Sequence, residues 1–216
     1  MCETTKLLFV RHGYSVANSE SVFGGCLDYD LTPTGHKQAE IMAEFVLKNY
    51  KVDAVYSSDL QRAVKTAEKV ALPLNLEIHK DKRLEEINGG LWNGMTFDDI
   101  QKKYPEEFNF WTTDLSKAHP PKGETMFDLQ KRALEAIADI CGKEKGKTVL
   151  VAAHRVLLRT VQCKWEGREI KDINKCMWLS NCSVSEIMYD NGRLIPIKPG
   201  QDDFMGEYKT IVNSSI

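Results

Sequence analysis

Two short stretches of this chain set an arginine beside a histidine directly after an apolar run. Arg11-His12-Gly13 follows Leu7-Leu8-Phe9-Val10, and His154-Arg155 follows Thr148-Val149-Leu150-Val151-Ala152-Ala153. Arginine carries a planar fork of donors that matches the oxygens of a phosphate or carboxylate. Histidine supplies a nucleophile or a proton carrier usable near neutral pH. As a bare tripeptide, Arg-His-Gly is equally well a polar turn. The recurrence of the pair, with Arg62 near the start of a helical pattern, makes convergence on one phosphoryl group the better reading, because phosphoryl transfer is catalysed mostly by positioning and charge neutralisation. The helix amino ends expected after Ser57-Ser58-Asp59 and after His154 would add backbone N–H donors. The chain has no GxxxxGK[ST] loop and no carboxylate cluster suited to paired Mg²⁺. What remains is a site with no metal and no cofactor, in which histidine attacks.

Apolar runs that are too short for a membrane span position these groups. Leu7–Val10 and Thr148–Ala153 read as buried strands, each ending in its histidine, and open α/β sheets bind ligands at the carboxyl ends of their strands. Helical periodicity covers His36–Asn49, Leu60–Ala71, Thr96–Lys103, Thr125–Gly142 and the stretch after His154. Val52–Tyr56 and Leu74–Ile78 read as further strands. Ser183–Tyr189 and Arg193–Ile197 flank Asp190-Asn191-Gly192, a hairpin signal. Arg83–Gly94 and Tyr104–Glu124 lack a period and read as loop, the second as a lid or mobile segment whose Phe108, Phe110 and Trp111 pack beneath it in preference to the alternative of stacking on substrate. Strand–helix alternation predicts an α/β fold, a mostly parallel central sheet with helices on both faces and an antiparallel edge hairpin. No linker or repeat divides the chain, so one domain over residues 1–216 is expected.

Composition narrows the partners. Twenty-nine Lys and Arg against 31 Asp and Glu give a net charge of −2, which offers no electrostatic footing for nucleic acid. No run reaches the roughly 18–20 apolar residues of a membrane span. Cys2, Cys26, Cys141, Cys163, Cys176 and Cys182 form no Cys-x-x-Cys pair, so reduced thiols in the cytoplasm are expected, with Cys176 and Cys182 the pair considered for oxidation. His36, His79 and His119 read as surface or loop residues.

The blocks LLFVRHGYSVAN, LTPTGHKQA, YSSDLQRAVKTA, RLEEINGGLWNG, PKGET and VLVAAHRVLLR resemble, in order and over nearly the whole chain, those of the histidine phosphatase superfamily, which includes the cofactor-dependent phosphoglycerate mutases. The resemblance implies a phosphohistidine on His12. It implies Arg11, Arg62 and His154 around the phosphoryl oxygens with Asn18 as a supporting donor, and Glu86, rather than the neighbouring Glu85, as general acid and base. Three departures bear on substrate identity. Arg155 stands where the family usually has glycine. Val22-Phe23-Gly24-Gly25 replaces a loop that often carries arginine and glutamine, and Gly123-Glu124-Thr125 replaces Gly-Glu-Ser. Phe23, Gly24 and Arg155 are therefore candidate substrate-binding residues. The expectation is a phosphomonoesterase acting on a small phosphorylated metabolite. A mutase-like isomerase is the first alternative, disfavoured by the acid block and by the lack of long insertions. A phosphate-binding protein without turnover is the second, and it would need neither nucleophile nor acid.

Overall fold

A computed structural model describes residues 4–210; Cys2 lies outside them. Six strands form one sheet, in the order β3-β2-β4-β1-β5-β6: β1 (Thr5–Arg11), β2 (Ala54–Ser57), β3 (Ile78–Lys80), β4 (Thr148–Ala153), β5 (Val184–Asp190) and β6 (Arg193–Gln201). β3, β2, β4 and β1 run parallel, while β5 and β6 close the sheet antiparallel. This is the mixed sheet expected from the sequence.

The two central strands are buried on both faces, and their side chains alternate between two cores. Leu7 and Phe9 of β1, with Val149, Val151 and Ala153 of β4, pack against α6 (Met126–Lys143) and α7 (Arg155–Trp165). Leu8, Val10, Leu150 and Ala152 face the other way, onto α2 (Pro33–Asn49) and α3 (Gln61–Ala71). Each such Leu, Val or Phe contributes about 1.5–3 kcal/mol when fully buried, so the middle of the sheet is the rigid frame. β1 and β4 pair from Lys6↔Thr148 to Arg11↔Ala153, and the His12 amide donates to the Ala153 carbonyl at 3.0 Å. That register ends both strands at one level and brings the two Arg–His pairs side by side.

Gly13 is needed there for proximity. A Cβ on it would stand 2.5 Å from the Gly35 carbonyl oxygen, and one on Gly35 would stand 2.1 Å from that of Tyr14. The entry of α2 thus lies directly on the turn that follows His12.

Several boundaries differ from those expected. α2 begins at Pro33, because the Thr32 side chain accepts from the Gly35 amide and proline occupies the first turn. The third strand is Ile78–Lys80, after a turn in which the Leu76 amide donates to the Ala71 carbonyl. α6 passes through Gly142 to Lys143, and β6 continues to Gln201. The segment 104–124 is not one loop: it holds α5 (Pro105–Thr113) and a single turn at Leu115–Lys117, following α4 (Phe97–Lys103). α5 has proline at its start and Glu106 and Glu107 in its first turn, but no fully buried residue, so it left no apolar stripe to read. Trp111 and Phe108 pack on Trp92 as expected, whereas Phe110 is exposed. Cys176 faces Cys163, with sulfurs 3.6 Å apart. It does not face Cys182, which belongs to the core on the opposite side of the sheet. No described helix is long and apolar enough to cross a membrane.

Candidate active site

At the carboxyl ends of β1 and β4 lies a pocket of about 250 Å³, lined by Arg11, His12, Asn18, Arg62, Glu86 and Arg155 together with Phe23, Trp111, Trp178 and Asn181. The His12 and His154 rings lie with centroids 5.1 Å apart. His12 Nδ1 donates to the Gly13 carbonyl oxygen at 2.7 Å. A carbonyl can only accept, so the proton sits on Nδ1 and Nε2 keeps its lone pair. Burial first, then the charges of Arg62 and Arg11, hold the His12 pKa well below the usual imidazole range. The ring is therefore neutral and nucleophilic at neutral pH.

His154 is fully buried, with no hydrogen-bond partner on either ring nitrogen. Burial, with the charge of Arg62 next, depresses its pKa well below 6.5 as well. An unsatisfied buried ring nitrogen costs free energy; His154 lies behind His12 and is not itself among the residues that line the pocket.

The two arginines expected at the phosphate are present, and each is also tied to backbone. Arg11 Nη1 donates to the Leu179 carbonyl at 2.7 Å. Arg62 donates to the Leu27 and Gly25 carbonyls, both at 2.7 Å. Desolvation first, and the nearby Arg155 charge second, lower the Arg11 pKa to about 9; desolvation lowers that of Arg62 also. Both remain cationic at pH 7. Asn18 lines the pocket, but its Oδ1 accepts from the Ser15 amide in the capping box of α1 (Val16–Ser19). Its amide NH₂ is the end left to serve a ligand.

Glu86, not Glu85, lines the pocket. Its carboxylate is hydrogen-bonded rather than simply desolvated: Val156 N and Leu157 N at the amino end of α7, and Ile87 N, donate to it at 3.0, 3.1 and 2.9 Å. The α7 amides expected to serve a phosphate thus hold the Glu86 carboxyl group instead. The amino end of α3 is taken too, since the Gln61 amide donates to Asp28 at 2.7 Å. Glu85 instead shares a hydrogen bond with Asp59, and burial plus that contact push its carboxyl up to about 7.

Among the candidate substrate residues, Phe23 is 4% exposed and meets Trp92, Phe97 and Trp111 edge-on; it is chiefly the floor of the pocket. Gly24 sits against Ala17 and Tyr29. Arg155 lines the pocket and is half-buried, with its guanidinium carbon 4.0 Å from the centroid of the Trp178 ring. His36, His79 and His119 stand outside the pocket. Trp178, Asn181 and Thr66 were not foreseen. Asn181 Nδ2 donates to the His12 carbonyl at 2.8 Å, and the Thr66 hydroxyl accepts the Gly13 N–H at 3.0 Å. Asn181 and Thr66 hold the backbone of His12 and Gly13; Thr66 lies within the block YSSDLQRAVKTA without standing out in it, and no motif marks Trp178 or Asn181.

Residues 7–198 match the profile of the histidine phosphatase superfamily (branch 1). The chain belongs to this superfamily. Phosphoserine phosphatase 1 of Hydrogenobacter thermophilus is 31% identical over 214 residues, covering 98% of this chain and 99% of its own. A metal-independent phosphoserine phosphatase of Arabidopsis thaliana is 33% identical over 161 residues, covering 74% and 68%. Bacillus stearothermophilus YhfR superposes with a TM-score of 0.89 at 31% identity, covering 93% of this chain and 99% of its own. Like these histidine phosphatases, the chain is a phosphoric monoester hydrolase.

Proposed function

We propose that the protein hydrolyses a small phosphomonoester through a phosphohistidine on His12, with Glu86 as proton carrier and with neither metal nor cofactor. In the first step the Nε2 electron pair forms the N–P bond while the P–O bond to the leaving group breaks. Protonated Glu86 gives its proton to the departing alkoxide. In the second step water attacks phosphorus, Glu86 accepts its proton, the N–P bond breaks, and phosphate leaves with His12 neutral again. Arg11 and Arg62 neutralise the phosphoryl charge, and His154 and Asn18 donate to its oxygens. The Nδ1–H bond to Gly13 fixes the tautomer and supports the positive charge that the ring gains in the first step.

The observation that carries this reading is the fixed tautomer of a neutral His12 between two buried arginines. A mere phosphate receptor needs cations, but it needs no bare Nε2 and no carboxyl beside it. The setting we propose is the cytoplasm, where the buried thiols of Cys141, Cys163, Cys176 and Cys182 stay reduced.

The test is a chemical quench. With a chelator present, a phosphomonoester should leave label on His12 that survives alkali and is lost in acid, and His12→Ala should abolish both label and turnover. Turnover that persists in His12→Ala, or that requires added Mg²⁺, would refute the mechanism.

A further inference from the structure

Three backbone carbonyls of the block that carries Glu86 converge on one side chain. Arg132 of α6 donates from Nη1 to the Arg83 and Glu85 carbonyls at 2.8 and 2.7 Å, and from Nη2 to the Glu86 carbonyl at 2.9 Å. Its Nε and Nη2 also donate to the two carboxylate oxygens of Glu124, at 2.8 and 2.9 Å. Each of the five N–H bonds of the guanidinium thus has its own acceptor. Glu124 in turn accepts the Asn88 amide at 2.8 Å, and its own amide donates to the Asn88 carbonyl at 2.8 Å. Arg132 and Glu124 together hold Arg83, Glu85, Glu86 and Asn88 by their backbone. Neither of the two lines the pocket.

The block depends on such a hold. Between β3 and α4 its only regular structure is two single turns, Lys82–Leu84 and Gly90–Trp92, so most of its carbonyls must find partners elsewhere. Leu84 and Ile87 anchor it by full burial. Glu86 stands between them, with its carboxylate on the Val156, Leu157 and Ile87 amides. Those bonds are strong while the group is charged, and charge-assisted bonds are roughly twice as strong as neutral ones. Once Glu86 takes up a proton they weaken, and the place of its carboxyl then depends more on the backbone beneath it.

We infer that Arg132 is a positioning residue for Glu86: by gathering the Arg83, Glu85 and Glu86 carbonyls, it fixes where the Glu86 carboxyl sits when it protonates the leaving oxygen, and Glu124 fixes Arg132. This rests on the reading of Glu86 as proton carrier given above. Arg132 touches neither substrate nor reacting atom. Its charge also reaches the site, since burial, then Arg62 and His12, and after them Arg132, lower the pKa of His154. Lysine separates the two effects, because it keeps the charge and loses the planar fork.

The test compares an ester whose leaving group needs a proton, glycerol 1-phosphate, with one whose leaving group departs without it, p-nitrophenyl phosphate. The readout is the ratio of kcat/KM for the first to that for the second. It reports events up to departure of the leaving group, so the later hydrolysis of the phosphohistidine, common to both esters, does not enter. Glu86→Gln should lower the ratio by roughly 10²–10⁴-fold. Arg132→Gln should lower it about ten- to a hundredfold, the scale of a misplacement of about 1 Å. The double variant should fall no further than Glu86→Gln alone, because the two act as one unit. Arg132→Lys should stay close to Arg132→Gln, and Glu124→Gln should lower the ratio by less. If Arg132→Gln does not fold, Arg132→Lys and Glu124→Gln decide by the same ratio. A selective fall in Glu86→Gln with equal losses on both esters in the Arg132 variants would overturn the positioning role and leave the phosphatase reading standing. A wild-type ratio in Arg132→Lys would assign the effect to charge and overturn the grip on the carbonyls. Equal losses on both esters in Glu86→Gln, or absence of turnover with both in the wild type, would overturn the reading under "Proposed function" and this inference with it.

Discussion

Two neutral histidines buried at the centre of the site make the fold sensitive to mild acid. His12 and His154 both have native pKa values well below 6.5 because burial penalises their charged forms. In the unfolded chain they take up protons around 6.5. Between the depressed native values and 6.5 the unfolded state therefore binds more protons, and stability falls as pH falls through that window. Integrated from pH 6.5 to 5.5, each histidine removes about 1 kcal/mol. Glu85 acts in the opposite sense. Its carboxyl, raised to about 7, keeps a proton that the unfolded chain releases above its ordinary value. Its contribution is thus present at low pH and lost as pH rises through 7, and its partial exposure reduces it. Comparing the wild type with His154→Asn cancels the Glu85 contribution, because both proteins carry it. Urea unfolding at pH 7.5, 6.5 and 5.5 should show the wild type losing about 1 kcal/mol more than the variant between 6.5 and 5.5. Equal losses in the two proteins would refute a neutral, buried His154.

Three substitutions probe the supports of the site. Glu86→Gln should lower kcat by roughly 10²–10⁴-fold, while Glu85→Gln should stay near wild-type turnover; steady-state kinetics on one ester decides between the two carboxyls. Thr66→Val leaves the Gly13 N–H without its acceptor and should cost about 1–3 kcal/mol in urea unfolding, with a lower kcat as the His12 turn loosens. Gly13→Ala drives a Cβ against the Gly35 carbonyl and should cost about 1–3 kcal/mol by thermal or urea unfolding.

The legible parts of the chain were those with a local period or a strand end. Thr148–Ala153 and Leu7–Val10 announced themselves as apolar runs, and of the residues that follow them Arg11, His12 and Arg155 line the pocket while His154 is buried against His12. The period over Thr125–Gly142 marked α6, and Thr125 caps its start with its side chain accepting from the Asp128 amide. The helix α5 was illegible because none of its residues is fully buried; it exists by its proline, its acidic first turn and its contacts with Trp92. Trp178 and Asn181 were illegible for another reason. They follow an irregular segment and act through contacts distant in sequence: Asn181 bonds to His12 across 169 positions, and the Trp178 ring meets the guanidinium groups of Arg155 and Arg159. Glu86 was found by its block, but its resting place on the α7 amides depends on a contact 70 residues away.

Arg11 and Arg62 hold more than charge. One carries the Leu179 carbonyl beside Trp178, and the other carries the Gly25 and Leu27 carbonyls of the loop over the pocket. Lysine at either position would keep the electrostatics of phosphate binding and lose the forked grip on backbone. The walls of the pocket are therefore fastened by the same side chains that supply its positive charge. A charge-preserving exchange at Arg11 or Arg62 would disturb the pocket's electrostatics and the shape of its walls together, which leaves evolution little freedom to adjust one through the other.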